Sequence, residues 1–215
     1  MKKIILITVL LLLVLTPVAF WWFCQRPVPQ LDGREQIAGL GKAVVVRFDA
    51  QAVPYIEAHS ETDAYVAQGY VTARERMFQM DVLRRSASGH MSEIFGSVAL
   101  PTDRLVRTLG LKRLAFEEFH RLTPQGRQAV DAFTRGVNAY LSENPGRLGL
   151  EFTLLGYSPG PWHPEDCLAI LKYVAYKADE SWRLDDFRQR LANKLGDSTV
   201  ATLFRDDLAT YGLPK

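Results

Sequence analysis

The sequence predicts a mostly helical body with one early β-hairpin. Three observations predict it. Two short β-branched runs lie close together between residues 42 and 58. Apolar residues then recur at three- and four-residue steps through most of the chain. Cap and breaker residues (Ser60, Gly89, Thr123-Pro124 and Gly196) punctuate those periodic stretches.

The front of the chain is a separate matter. Lys2 and Lys3 precede an apolar run over residues 4–23, broken only by Thr8, Thr16 and Pro17. A run of about 20 residues is long enough to span a bilayer core, and the two lysines orient it with the remainder exported. Trp21, Trp22 and Phe23 would lie at the outer interface. They also make a poor cleavage site, so residues 1–24 read as a membrane anchor, with a cleaved signal peptide and a buried apolar helix as the competing readings. Residues 25–40, with prolines and glycines, read as a linker, and 41–215 as the folded body.

Within the body, residues 42–49 carry Val44, Val45 and Val46 and read as a strand. Residues 53–58 read as a second strand, joined to the first by Asp49-Ala50-Gln51-Ala52. Pro54 confines that strand to an edge or places the proline among its first residues. Ser60 can cap a helix over about 61–87, with Glu61 and Asp63 in its first turn. Ala67, Tyr70, Val71, Met77, Phe78 and Leu83 form its apolar face, while Arg74, Glu75, Arg84 and Arg85 fall largely elsewhere, and Gly89 stops it. Residues 105–119 form another amphipathic helix. Thr123-Pro124 opens the next, striped by Ala129, Phe133, Val137 and Tyr140. Pro159, Pro161 and Pro164 make a stiff corner before a helix over 164–178, and a last helix covers about 185–195.

Composition narrows the function classes. The 215 residues carry 26 Lys plus Arg against 24 Asp plus Glu, a net charge of +2, so there is no global electrostatic case for nucleic acid binding. Cys24 and Cys167 cannot make a metal cluster, and Cys167 reads as a small buried hydrophobe. His59, His90, His120 and His163 sit in unrelated contexts and read as surface or loop histidines. No nucleophile elbow, zinc-protease helix, phosphate loop or CxxC pair occurs. Arg84-Arg85 reads as structural, pairing with Asp81 or Glu93, and Asp103 with Arg104 and Arg107 as a similar network. Asp185-Asp186 reads either as a hard-cation ligand pair or, with the stronger case, as a helix N-cap and its neighbour.

Several segments in order resemble the α-chain region of the penicillin acylase (penicillin amidase) family of N-terminal-nucleophile hydrolases. Pro29-Gln30-Leu31-Asp32-Gly33 through Gly39-Leu40 resembles its linker, and Val46-Arg47-Phe48-Asp49 through Val53-Pro54-Tyr55-Ile56 its first hairpin. The most specific block is Gly69-Tyr70-Val71-Thr72-Ala73-Arg74-Glu75-Arg76-Met77-Phe78-Gln79-Met80-Asp81 with Arg84-Arg85, continuing into Gly89-His90-Met91-Ser92-Glu93-Ile94-Phe95-Gly96. Gly136-Val137-Asn138-Ala139-Tyr140 and Glu151-Phe152 through Pro161-Trp162 follow. The chain departs from the family at Ala52 and Tyr55, where the family usually has Gly and His. It departs again at Arg74-Glu75 for Gln-Asp and at His163 for a threonine-type cap.

The resemblance implies the α-chain portion of an αββα hydrolase, made as a precursor that cuts itself into an α chain and a longer β chain. It implies hydrolysis of the amide bond in N-acyl substrates such as β-lactams or acyl-homoserine lactones. The β chain's N-terminal serine would attack, with its own α-amine as base. A free α-amine titrates at roughly 7.7–8.0, near working pH. Oxyanion donors would also come from the β chain. This chain reaches Lys215, about where such an α chain ends, so no catalytic residue is assigned to it and it is expected to be inactive alone. In the family, the helix after the Pro-Trp corner faces the acyl group. The matching stretch carries Tyr173, Tyr176, Asp179 and Trp182, with Asp179 and Glu180 expected to disfavour acidic acyl chains. The family often shares a calcium ion between its chains, and Asp185 is the matching acidic ligand. The expected partners are the β chain, a small N-acyl amide and the membrane, with no nucleic acid, and the expected location is the periplasmic or extracytoplasmic side. The alternatives from other classes are a membrane-anchored helical interaction module and a non-functional fragment.

Overall fold

The computed structural model describes residues 32–179 and 181–204, together with 13–18 and 21. Most of the apolar run, Trp22, Phe23, Cys24, residues 25–31 of the linker, Glu180 and residues 205–215 lie outside the described residues. Among the described residues no helix is long and apolar enough to cross a membrane. The body is mostly helical with one two-stranded sheet, and it divides into two compact units, one running to Lys172 and the other beginning at Tyr173.

The hairpin forms as the sequence predicts. Strand β1 (Val45–Phe48) pairs antiparallel with β2 (Pro54–Glu57), placing Val46 opposite Ile56 and Phe48 opposite Pro54. Pro54 is the first residue of its strand, where its missing N–H costs the ladder least. The turn is built by Asp49, whose carboxylate accepts the backbone N–H groups of Gln51 (2.9 Å) and Val53 (2.8 Å). Ala52 has φ +60°, a left-handed conformation that a Cβ disfavours.

Helix α1 (Glu61–Ser88) is capped by Ser60, whose hydroxyl accepts the Asp63 N–H at 3.1 Å, and it ends at Gly89 with φ +69°. It is kinked at Arg76. A short α2 (Ser92–Phe95) and a 3₁₀ turn (Gly96–Ala99) lead into α3 (Leu100–Leu109) and α4 (Leu111–Arg121). The single helix expected over 105–119 is therefore two. Gly110, at φ +69°, ends the first helix by donating its N–H to the Val106 carbonyl. Helix α5 (Pro124–Glu143) is capped by Thr123 as predicted. A short α6 (Leu150–Leu155) precedes the proline corner, and α7 (Pro164–Ala178) has its predicted bounds. Helix α8 (Ser181–Leu195) starts a turn earlier than expected, and α9 (Asp197–Leu203) follows Gly196.

The core of the first unit lies between α1 and α5. Tyr70, Ala73, Met77 and Met80 pack against Val137, Ala139 and Tyr140, with Phe152 and Trp162 closing the cluster. Two glycines allow this contact. A Cβ on Gly69 would lie 2.1 Å from the Phe133 carbonyl oxygen, and one on Gly136 would lie 1.9 Å from that of Val66. The helix backbones therefore touch, which no other residue type permits. Asn138 then holds the proline corner. Its Nδ2 donates to the Trp162 carbonyl (2.9 Å) and its Oδ1 accepts the Trp162 N–H (2.8 Å).

Candidate functional site

Three of the four arginines of the most specific block are not surface charges; Arg76 is exposed. Arg74, Arg84 and Arg85 have side chains only 9%, 12% and 16% exposed, against the expectation that they fall off the packed face. Asp81, fully buried, takes Arg84 on one carboxylate oxygen and Arg85 on the other, and its second oxygen also accepts the Tyr157 hydroxyl at 3.0 Å. Arg84 spans onward to the Gly160 and Pro161 carbonyls and lies over the Trp162 ring, 5.1 Å from its centroid. Arg85 also pairs with Glu93, which holds His90 at 2.6 Å. Burial alone would push the Asp81 carboxyl up, but the two arginines outweigh it and hold it below the usual carboxylate range. Asp103 differs from its expected arginine network. It accepts the Met91 and Ser92 N–H groups at 3.0 and 2.7 Å and so anchors the start of α2, while Arg107 bonds the Gly89 carbonyl at 2.8 Å.

This cluster fixes the Pro-Trp corner, and the corner fixes where α7 starts. Asp166, in the first turn of α7, accepts the His163 N–H at 2.9 Å, so the cap function falls to Asp166 rather than His163. Cys167 is tucked beneath the corner with the Trp162 indole N–H on its Sγ at 3.3 Å. Burial pushes the thiol up, which suits a packing role and opposes nucleophilicity.

The residues expected to face the acyl group lie in the second unit. Tyr173 and Tyr176 are half-buried on the last turns of α7, Asp179 is exposed beyond its end, and Trp182 opens α8 at 45% exposure. Tyr176 and Trp182 stack with planes 15° apart and centroids separated by 6.4 Å. The hollow that they line with Lys177, Asp179 and Arg183 amounts to about 10 Å³, roughly one water's worth. Among the described residues, Tyr176 and Trp182 thus form an aromatic face with a hollow too small for a ligand. Lys177 and Arg183 line the same hollow as Asp179.

Asp185 lies within α8, since the helix begins at Ser181, so neither it nor Asp186 is an N-cap. Its side chain is 72% exposed, with Arg188 at 3.8 Å, and Asp186 pairs with Arg190 at 2.9 Å. Among the described residues no three His, Cys, Asp or Glu side chains gather as a metal site. Calcium takes six to eight oxygens, so Asp185 fits only as one ligand of a site completed from elsewhere. Sequence reasoning also missed a hollow of about 410 Å³ beside the α1 kink, lined by Arg74, Arg76, Phe78 and Tyr140 among others. Its lining residues come from three separate stretches, a convergence that periodicity does not report.

The first unit is a helical body around a buried arginine–carboxylate cluster, and the second carries the stacked Tyr176–Trp182 pair. The family model for penicillin amidase matches residues 43–211, and the chain belongs to that family. It is 36% identical to penicillin acylase 2 proenzyme of a Pseudomonas species over 158 residues, covering 74% of this chain and 20% of that protein. It is 35% identical to acyl-homoserine lactone acylase QuiP of Pseudomonas putida over 179 residues, covering 83% and 22% respectively. The chain thus spans about a fifth of the length of these curated relatives. Thermostable penicillin G acylase from Alcaligenes faecalis superposes with a TM-score of 0.60 at 25% identity, covering 77% of this chain and 90% of the matched one.

Proposed function

We propose that this chain is the α-chain portion of an exported amidohydrolase that cleaves small N-acyl amides, β-lactam or acyl-homoserine lactone in type, and is completed to the αββα fold by a β chain. The observation that carries the reading is the Tyr176–Trp182 wall, stacked and open to one side. An acyl group needs aromatic walls and enclosure, and the stacked pair supports a wall in this chain, with the enclosure supplied by the β chain. The family relationship supports an amide as the substrate bond. The reacting groups in this reading are the β chain's N-terminal serine hydroxyl, its α-amine as proton acceptor and its oxyanion donors. This chain's residues do the orienting. Asp81 with Arg84 and Arg85 holds the corner from which α7 starts, and Tyr173, Tyr176 and Trp182 face the substrate.

Calcium, in this reading, is shared between the chains with Asp185 as this chain's ligand. The apolar run over residues 4–23 directs the body to the extracytoplasmic side. The test is turnover of a chromogenic acyl amide by the full 215-residue chain, alone and co-expressed with a penicillin-acylase-type β chain. Activity only in the pair is expected, and turnover by the chain alone overturns the reading. Asp185→Ala in the pair is expected to weaken calcium dependence; an unchanged calcium requirement removes Asp185 from the site.

A further inference from the structure

Residues 35–42 form no helix or strand, yet they make a series of contacts with α1 and α5. Ile37 packs against the core cluster that lies between those helices. Ahead of it, Glu35 reaches the hydroxyl of Tyr70, which also bonds Glu143 of α5 at 3.1 Å. Behind it, Gly39 passes Arg135 of α5, where a Cβ would lie 3.6 Å from Nε. Gly41 then donates its N–H to Asp63 Oδ1 at 2.7 Å, and the Lys42 N–H serves the same carboxylate. Asp63 is buried in the first turn of α1, and the Gly41 bond is the foremost cause holding its carboxyl below the ordinary value. The segment is thus tied down at both ends and through its middle. We propose that residues 35–42 are a strap of the folded body across the α1–α5 seam, and that proteolytic processing that frees the body from the apolar run over residues 4–23 takes place ahead of Glu35.

The physical reason lies in what a protease must move. A stretch without secondary structure is ordinarily cut readily, because its backbone can be drawn out into an extended form. Lys42 is exposed, so its side chain does not limit attack. Cutting after it requires the flanking residues to leave their places, which breaks the Asp63 bonds and lifts Ile37 from the core. Water then adds across one peptide bond, leaving a carboxylate on Lys42 and an amine on Ala43, and the strap is severed from β1. A cut ahead of Glu35 severs none of these contacts from the body. The processing half of the proposal rests on the export reading given above, and the strap half does not.

The test is limited trypsin digestion of the full chain, read by mass spectrometry at two bonds, after Lys42 and after Arg147. Arg147 is exposed in the loop between α5 and α6 and serves as the unprotected reference. Cleavage after Lys42 is expected to be slower than after Arg147 by about tenfold or more. Ile37→Ser removes the apolar anchor and is expected to raise the Lys42 rate about tenfold with the Arg147 rate unchanged. Equal rates at the two bonds in the parent overturn the strap. So does an Ile37→Ser protein cut after Lys42 no faster than the parent, or one in which both rates rise together, which reports general loosening. Processing is read separately, by N-terminal sequencing of the protein recovered from exporting cells. A first residue at or before Glu35 is expected, and a folded product that begins beyond it overturns the processing half. Failure of the export reading shows differently, as protein recovered only from the cytoplasm, and leaves the digestion test in force.

Discussion

Replacing Gly136 with alanine tests the packing that underlies the whole first unit. The new Cβ would sit 1.9 Å from the Val66 carbonyl oxygen and 2.8 Å from the Tyr70 nitrogen, both backbone atoms that no rotamer change can move. An ordinary contact begins near 3.4 Å, so α1 and α5 must part locally by about 1.5 Å. A gap of ~1 Å already forfeits up to half of a dispersion well of ~0.1–0.2 kcal/mol per atom pair. Spread over roughly 50 pairs around Val66, Ala73, Val137 and Tyr140, that loss is about 4 kcal/mol. Alanine's better helix propensity returns about 1 kcal/mol, leaving a net cost of about 3 kcal/mol. For a chain of this size that is a fall in melting temperature of about 6–12 °C. The assay is thermal unfolding of the full chain followed at far-UV wavelengths. Gly160→Ala is the control, because a Cβ there meets nothing within 4 Å. Gly69→Ala should behave like Gly136→Ala, and the double variant should lose less than the two costs added together, since the first substitution already opens the shared contact. A Gly136→Ala protein melting within about 2 °C of the parent would refute the close-packed reading.

Other consequences can be measured in the same way. Asp81→Asn leaves two arginines facing a neutral amide and should destabilise by about 3–5 kcal/mol, read by urea unfolding. Asp63, Asp81 and Asp103 all have carboxyls held below their ordinary value of 3.8, so the unfolded chain binds protons more readily than the folded one. Their stabilisation is present above about pH 4 and is lost as pH falls below it. Melts between pH 6 and pH 2.5 should show that loss, and a flat profile would contradict it. Ala52→Gly relieves a left-handed alanine at φ +60° and should gain about 0.5–1 kcal/mol, measured by the shift in urea midpoint at constant slope. Trp182→Ala in the active pair should lower kcat/KM for an N-acyl amide about tenfold, and an unchanged value would remove Trp182 from the acyl wall.

The parts of this fold that were legible in the sequence were those whose cause is local. Ser60, Gly89 and Thr123 cap helices through groups within a few residues, and Pro54 marks the start of its own strand. Helices α6 and α9, of six and seven residues, are too short to show an apolar period. The break at Gly110 is local as well, but a glycine inside a periodic stretch reads equally as tolerated. Burial of Arg84 and Arg85 was not legible because their partners Tyr157, Gly160 and Pro161 lie more than 70 residues along the chain. The aromatic wall was named from family resemblance, and the stacking of Tyr176 on Trp182 across a helix break has no periodic signature. The hollow at the α1 kink stayed hidden for a related reason. Its walls converge only once α1 bends at Arg76, and no proline marks that bend.

The amide of Asn138 meets both the N–H and the carbonyl of one residue, Trp162, a task that requires a donor and an acceptor on the same side chain. Spontaneous hydrolysis of that amide to a carboxylate would leave the acceptor intact, erase the donor and set a negative charge against the Trp162 carbonyl. Stored preparations would then age at a single atom, and the aged fraction, separable by isoelectric focusing, would carry a loosened tryptophan whose fluorescence reports the damage.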